Sequence, residues 1–265
     1  MNFHGIGKSF FVAVVLGLAA LIPAIAQAPS SSSTVPIPRT PDGKPDLSGI
    51  WQVLNQAAVD LQDHDAQKGV PAGIGVVEGG DIPYTPTALA KKKDNYEKRA
   101  TLDPETRCYL PGVPRLMYMP FPFQIFQSPT QVTMLFEYVH ATRLVFMNTP
   151  HPPDGLDFWM GDARGKWEGD TLVVDTNNFN DKTWFDRAGN FHSDALHLVE
   201  RYTLADLDHI NYEVTVTDPK VFTRPWKMNM ILYRRKEAGL RVLEYECYTF
   251  DRQFHVTPGM TPPTQ

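Results

Sequence analysis

The residues best suited to acid–base chemistry fall within one stretch of the chain, residues 175–201. Imidazole and carboxylate side chains recur there at short spacing, at Asp181, Asp186, His192, Asp194, His197 and Glu200. A carboxylate beside an imidazole tunes the pKa of each group toward neutrality, which suits proton transfer. We therefore predict an acid–base site in which His192 is the base or acid and Asp194 orients it. Asp186 or Glu200 would supply a second carboxylate.

The local conformation decides which of these side chains share a face. If residues 192–202 are extended, His192, Asp194 and Glu200 lie on one face and His197 lies on the other. The β-branched and aromatic residues of this segment favour the extended form. The competing interpretation is an ordinary turn followed by a solvated strand face, with no catalytic role.

A metal site at the same residues is an alternative. His192, Asp194 and His197 would form a two-histidine, one-carboxylate ligand set. Their His-x-Asp-x-x-His spacing differs from the helical His-Glu-x-x-His pattern, and on a strand the third ligand would point away. We therefore expect no metal and keep these three residues as fallback ligands. The sequence also lacks the glycine-rich nucleotide motifs and serine-nucleophile motifs, so we expect no cofactor.

Three further residues are candidates for substrate binding. Trp184 lies inside the polar run, where an aromatic side chain would suit an apolar ligand. An equally open interpretation makes Trp184 a plug at the end of a barrel. His140 and Arg143 stand close together at a boundary between two predicted strands, and we expect both to contact the substrate.

The elements that position these residues are predominantly strands. Beyond Gln124, apolar and polar residues alternate in short runs separated by turns, most clearly from Ile210 to Val216. This pattern predicts an antiparallel meander of about eight to ten strands, ending with a strand over residues 240–250. Because free edge strands invite aggregation, we expect a mainly β fold that closes into a lipocalin-like barrel.

One helix is predicted before the barrel. Thr85 is a suitable N-cap, Pro86 suits the first helical position, and the helical pattern runs to about Arg99. Long proline- and glycine-rich loops surround this helix. In an oxidising compartment the two cysteines, Cys108 and Cys247, would form a disulfide. A nucleophilic thiol is the weaker alternative, since neither cysteine lies in a Cys-x-x-Cys motif or beside a histidine.

The beginning of the chain predicts export. Lys8 precedes an apolar run that ends in Ala24-Ile25-Ala26, the order of a secretory signal peptide cleaved after Ala26. We expect a periplasmic or secreted protein, with an uncleaved anchor as the alternative. The predicted organisation is a signal peptide, a Ser/Pro-rich leader, an N-terminal loop and helix region packing on the barrel, the β-barrel and a tail, at residues 1–26, 27–40, 41–120, 121–256 and 257–265.

The charge and hydropathy of the chain argue against nucleic acids and membranes as partners. The chain has 25 Lys and Arg against 30 Asp and Glu, a net charge of −5. With a pI of about 5.9, it lacks the basic balance of a nucleic-acid binder. No later apolar run has the roughly 20 residues of a membrane helix, so we expect no stable membrane insertion. The oligomeric state stays open.

Several motifs resemble a family of secreted bacterial proteins known chiefly as hypothetical proteins. They include PDGKPDLSGIW, RCYLPGVPR, WEGDTLVVDT and HSDALHLVER, and the resemblance spans about residues 41–251. It implies no catalytic assignment. The predicted meander also looks like the calycin or lipocalin barrels, which hold hydrophobic small molecules, although a shared fold does not fix function.

Together these features predict a periplasmic enzyme, an isomerase or lyase, that acts on a small, largely apolar molecule. Its cofactor-free acid–base chemistry would be isomerisation, hydration or elimination. The first alternative is a non-catalytic lipocalin-like carrier of a hydrophobic small molecule. The second is a secreted structural or interaction module.

Overall fold

The computed structural model describes residues 36–66, 70–153 and 155–247. The predicted signal peptide with its cleavage site and the C-terminal tail lie outside the described residues, as do most of the leader and the end of the predicted barrel region. Within the described ranges, no helix is both long and apolar enough to cross a membrane.

The described residues form a closed barrel, which confirms the mainly β fold class. Its nine strands are β1 Gly49–Val53, β2 Phe123–Gln127, β3 Gln131–Phe136, β4 Thr142–Met147, β5 Asp162–Glu168, β6 Thr171–Asn177, β7 His197–Leu204, β8 His209–Thr217 and β9 Trp226–Arg234. Each strand pairs with its neighbour in sequence, and β9 pairs with β1 to complete the closure.

Three details differ from the predicted meander. β4 and β5 are parallel, with Val145 opposite Ala163, so the connection between them is a crossover and not a hairpin. β1 comes from the segment predicted only to pack on the barrel. Up to residue 247, the strand predicted over residues 240–250 is absent, and Tyr245 takes part in an isolated bridge with Tyr138 instead of a strand. Since β1 already pairs with β9, no free edge remains for another strand.

The helical segments lie between β1 and β2. Helix α1, Pro86–Glu97, begins as predicted, with the Thr85 hydroxyl accepting a hydrogen bond from the Ala88 amide at 3.3 Å. A second short helix, α2, spans Arg99–Leu102 and adds to the single one predicted. Two 3₁₀ helices follow, Pro104–Arg107 and Arg115–Tyr118.

The interior of the barrel is occupied by large side chains. Alternate residues of each strand face inward, and Trp51, Phe123, Tyr202 and Tyr212 are fully buried. Met117, from the second 3₁₀ helix, reaches into this core and its sulfur lies 3.8 Å from the Tyr202 hydroxyl. A ligand site is therefore better sought among the loops than inside the barrel.

The predicted disulfide between Cys108 and Cys247 is confirmed. Its two Cα atoms are 5.7 Å apart, and the cysteines are 139 residues apart in sequence. The bridge joins the end of the first 3₁₀ helix to the segment that follows β9. It thereby ties the helical region to the C-terminal end of the described chain.

Candidate functional site

The candidate site lies at one end of the barrel. β6 ends there and β5 and β7 begin there, because β5 and β6 pair antiparallel, as do β6 and β7. Two connections meet at this end, the last part of residues 148–161 and all of residues 178–196, joined by a bridge between Phe158 and Phe179. Loops on a rigid barrel are common positions for ligand-binding groups.

A cleft of about 470 Å³ opens at this end. We call it the Trp184 cleft, and its lining residues are Asn95, Leu102, Pro104, Arg107, Tyr109, Trp159, Asp181, Lys182 and Trp184. The rings of Tyr109 and Trp159 meet edge to face with centroids 5.5 Å apart. The Lys182 ammonium lies 6.0 Å from the centre of the Trp159 ring. Aromatic surface and cationic groups thus converge in one concavity.

Several fixed contacts hold the walls of the cleft. Tyr109 directly follows Cys108, whose backbone is left-handed at φ +56° and whose side chain is in the disulfide. Trp184 is paired with Phe191 by an isolated bridge and is only 9% exposed. The rings that would contact a ligand are therefore positioned before it binds.

His192, the predicted base, is a buried core residue. Its Nδ1 donates to the Ser193 carbonyl at 2.8 Å, since a carbonyl oxygen only accepts. Its Nε2 therefore accepts from the Thr183 hydroxyl at 2.6 Å. Burial lowers the pKa of His192, and the rings of Phe179 and Phe185 lie 5.8 and 5.3 Å away. Both ring nitrogens of this neutral imidazole are already hydrogen-bonded within the protein.

Asp194, the predicted orienter, does not meet His192. Its exposed carboxylate pairs with Lys220 at 2.6 Å. Ser193 explains the divergence, because its amide and hydroxyl both donate to Asp218 and form a turn before β7 begins. The prediction that the segment is extended holds for β7, but the alternation does not continue through this turn.

Asp186, the predicted second carboxylate, is fully buried beneath the loop. It accepts hydrogen bonds from the backbone amides of Leu61 and Asn190 and from the Asn190 side chain. Burial raises the pKa of Asp186 to about 7, and the nearby Asp60 carboxylate adds to the rise. Asp186 therefore links residues 178–196 to the segment after β1, away from the lining of the Trp184 cleft.

Glu200 and Arg143 meet inside the barrel as a buried ion pair. One Glu200 oxygen accepts from Arg143 at 2.9 Å and from the hydroxyls of Tyr202 and Tyr212 at 2.9 and 2.7 Å. Burial raises the pKa of Glu200, but Arg143 outweighs it and the net shift is downward. Thr176 also accepts from Arg143. Arg143 and Glu200, which were predicted to contact or act on a substrate, are instead paired with each other.

The other predicted site residues do not come together in one site. His140 is exposed, with its Nε2 3.7 Å from a Glu246 oxygen, and it does not line the Trp184 cleft. The fallback metal ligands His192, Asp194 and His197 have separate partners. Across the described ranges, no three His, Cys, Asp or Glu side chains are spaced to hold a metal ion.

A cluster that the sequence did not predict lies across the outer face of the same barrel end. Asp162 binds His151 Nδ1 at 2.7 Å, His151 Nε2 binds Asp175 at 2.9 Å, and the other Asp175 oxygen binds His197 Nε2 at 3.0 Å. We call these four residues the histidine–aspartate chain. Asp175 lies near the end of β6 and His197 begins β7, so the predicted pairing of these two strands could have indicated that the two side chains are close. His151 reaches them only because the connection between the parallel strands β4 and β5 crosses this end of the barrel.

Electrostatics favour the charged carboxylates of this chain. The hydrogen bond from His197, followed by that from His151, lowers the pKa of Asp175. The same bond to Asp175 raises the pKa of His197. Burial would raise the pKa of Asp162, but hydrogen bonds from Arg164 and His151 outweigh it.

Neither a family model, a curated protein nor a solved structure matches this chain. The motif resemblance to secreted bacterial proteins therefore stays a prediction. Since a shared fold does not fix function, the geometry of the site carries the functional information.

Proposed function

We propose that the protein binds a small, largely apolar molecule in the Trp184 cleft, and that this molecule carries an aromatic ring and a negative group. The observation that carries the proposal is the convergence of three aromatic side chains with two cationic ones, Arg107 and Lys182, in a single concavity. Under this proposal the ligand of the carrier hypothesis binds among the loops, outside the barrel.

The dimensions and chemistry of the cleft support this ligand class. Its volume of about 470 Å³ falls within the roughly 300–1,000 Å³ of small-molecule sites. Tyr109, Trp159 and Trp184 offer ring faces and edges for stacking. Arg107 and Lys182 attract an anionic group, whereas Asp181 disfavours a second negative charge.

Binding fits the geometry better than catalysis by the predicted residues. A general base needs a free nitrogen within hydrogen-bond reach of the substrate, and His192 has both ring nitrogens bonded inside the core. Asp194 is committed to Lys220 at the surface. Neither lines the Trp184 cleft.

Isothermal titration with 2-naphthoate tests the proposal. Tyr109→Ala and Trp159→Ala should each raise the Kd at least about twofold, because one aromatic contact contributes about 0.5–1.5 kcal/mol. Phe126→Ala is the matched control, since Phe126 is 47% exposed on the outer face of β2 and Tyr109 is 45% exposed. The control should retain the wild-type Kd.

Two results would contradict the proposal. The first is the absence of heat from the wild-type protein at millimolar 2-naphthoate. The second is an equal loss of affinity in Phe126→Ala, which would indicate nonspecific adsorption to exposed aromatic surface. Lys182→Met separates the two parts of the ligand: it should weaken 2-naphthoate but not the neutral 2-naphthol.

A further inference from the structure

We propose that His197 is a solvent-accessible general base, oriented by the histidine–aspartate chain, for proton removal from a small molecule with an acidic C–H bond. This second site lies on the outer face of the barrel. It does not depend on a ligand in the Trp184 cleft.

The tautomer of His197 follows from its single hydrogen bond. The Asp175 carboxylate only accepts, so His197 Nε2 carries the proton and Nδ1 of the neutral ring carries the lone pair. Among residues 36–66, 70–153 and 155–247, no side chain or backbone group bonds to this Nδ1. The side chain is 42% exposed. The basic nitrogen is therefore open to a molecule from solution.

The other three residues of the histidine–aspartate chain fix the orientation of the His197 imidazole. Asp175 is held from its other oxygen by His151, and His151 is held in turn by Asp162. Arg164 pairs with Asp162 and anchors this far end. These groups come from three adjacent strands and the crossover, so the closed sheet sets their spacing.

His209 forms a surface histidine–aspartate pair that can be compared with the pair of His197 and Asp175. His209 is 39% exposed and bonds Asp206 at 2.8 Å, three residues earlier in the same turn. No second histidine bonds Asp206 in the described part of the protein. His209 thus matches His197 in exposure and in having an aspartate partner, but it lacks the supporting chain.

The Asp175 carboxylate makes His197 a stronger base than a free imidazole. Asp175 faces it from β6, and behind Asp175 stand His151 on the crossover and Asp162 and Arg164 on β5. The bond to Asp175 raises the pKa of His197 above its usual value of about 6.5. A base should therefore become active as the pH rises through this elevated value.

The arrangement suits proton transfer at carbon more than covalent catalysis. In the part of the chain that the structure describes, no Ser, Thr or Cys side chain bonds His197, so no activated nucleophile is in place. The probe 5-nitrobenzisoxazole tests the base directly. His197 Nδ1 would take the C3 proton, the C–H electron pair would form the third C–N bond, and the N–O bond would break to release a nitrophenolate. Solvent then takes the proton from the imidazole.

The decisive comparison is between two histidine variants in this elimination. His197→Gln should lower the protein-catalysed rate at least about tenfold, since a positioned base contributes roughly 10²–10⁴-fold. His209→Gln should leave the rate unchanged. Asp175→Asn keeps the imidazole but removes its orienting carboxylate, so it should also lower the rate and move the pH midpoint down. Equal rates for His197→Gln and His209→Gln would overturn the proposal.

Asp162→Asn tests whether the four residues act together. Asp162 does not touch His197, and it acts on it only through His151 and Asp175. The variant should reduce the rate severalfold and shift the pH midpoint toward lower values, with a melting temperature close to that of His209→Gln. An unchanged rate and an unchanged pH midpoint would refute the role of the histidine–aspartate chain in orienting His197. Failure here leaves the 2-naphthoate titration unaffected, so the two proposals fail separately.

Discussion

Arg143 on β4 and Glu200 on β7 form a fully buried ion pair in the interior of the barrel. Arg143 donates to both Glu200 oxygens, and the hydroxyls of Tyr202 and Tyr212 donate to one of these two oxygens. The charges that the sequence suggested for a substrate thus stabilise each other within the core. A partner is required because an unpaired buried charge is costly.

Breaking this pair should strongly destabilise the fold. We expect Arg143→Met or Glu200→Gln to lower the free energy of unfolding by about 3–5 kcal/mol, because each leaves its partner unpaired in the core. The double variant should lose less than the sum of the two single losses. Urea unfolding followed by tryptophan fluorescence measures all three. Single variants within about 1 kcal/mol of the wild type would show that the pair is not closed to water.

The disulfide should contribute much of the stability. It closes a loop with a sequence separation of 139 residues, for which the chain-entropy model gives up to about 5 kcal/mol. Replacing Cys108 and Cys247 by Ser should lower the urea midpoint. Adding a reducing agent to the wild-type protein should reproduce the change, and it should not alter the double variant. If reduction leaves the midpoint unchanged, the bridge does not constrain the unfolded chain as described.

Asp186 should make stability fall as the pH rises. Its pKa is about 7 in the folded protein and near 3.9 in an unfolded chain. Between these values the folded state holds the extra proton, so the free energy of unfolding decreases from about pH 4 to pH 7. Asp186→Asn removes the titrating group and keeps the size. The difference between wild type and variant, measured by urea unfolding across this window, should change with pH; parallel curves would refute the elevated pKa.

Local patterns in the sequence predicted most elements of the barrel. Alternation from Ile210 to Val216 lies within β8, and the capping role of Thr85 correctly placed the start of α1. The even count of two cysteines correctly predicted the bridge. Strand alternation and helix capping depend on residues that are close in sequence, and two cysteines allow only one pairing. These features can therefore be predicted from the sequence.

The parts that were missed depend on contacts distant in sequence. The parallel pairing of β4 and β5 brings His151 beside Asp175, and no local pattern predicts a crossover of that kind. His192 and Asp194 are only two residues apart, yet the turn anchored by Asp218 separates them. Trp184 was selected from its polar surroundings, but Tyr109 and Trp159 join it only in the fold.

The most direct test of the central claim is the indole N–H region of a ¹H–¹⁵N correlation spectrum during titration with 2-naphthoate. The chain has five tryptophans, and single Trp→Phe variants would assign their signals. If the ligand binds in the Trp184 cleft, the signals of Trp159 and Trp184 should shift with one common Kd while that of Trp51, inside the barrel, stays in place. A shift of Trp51 without shifts of Trp159 and Trp184 would place the ligand inside the barrel and contradict the account.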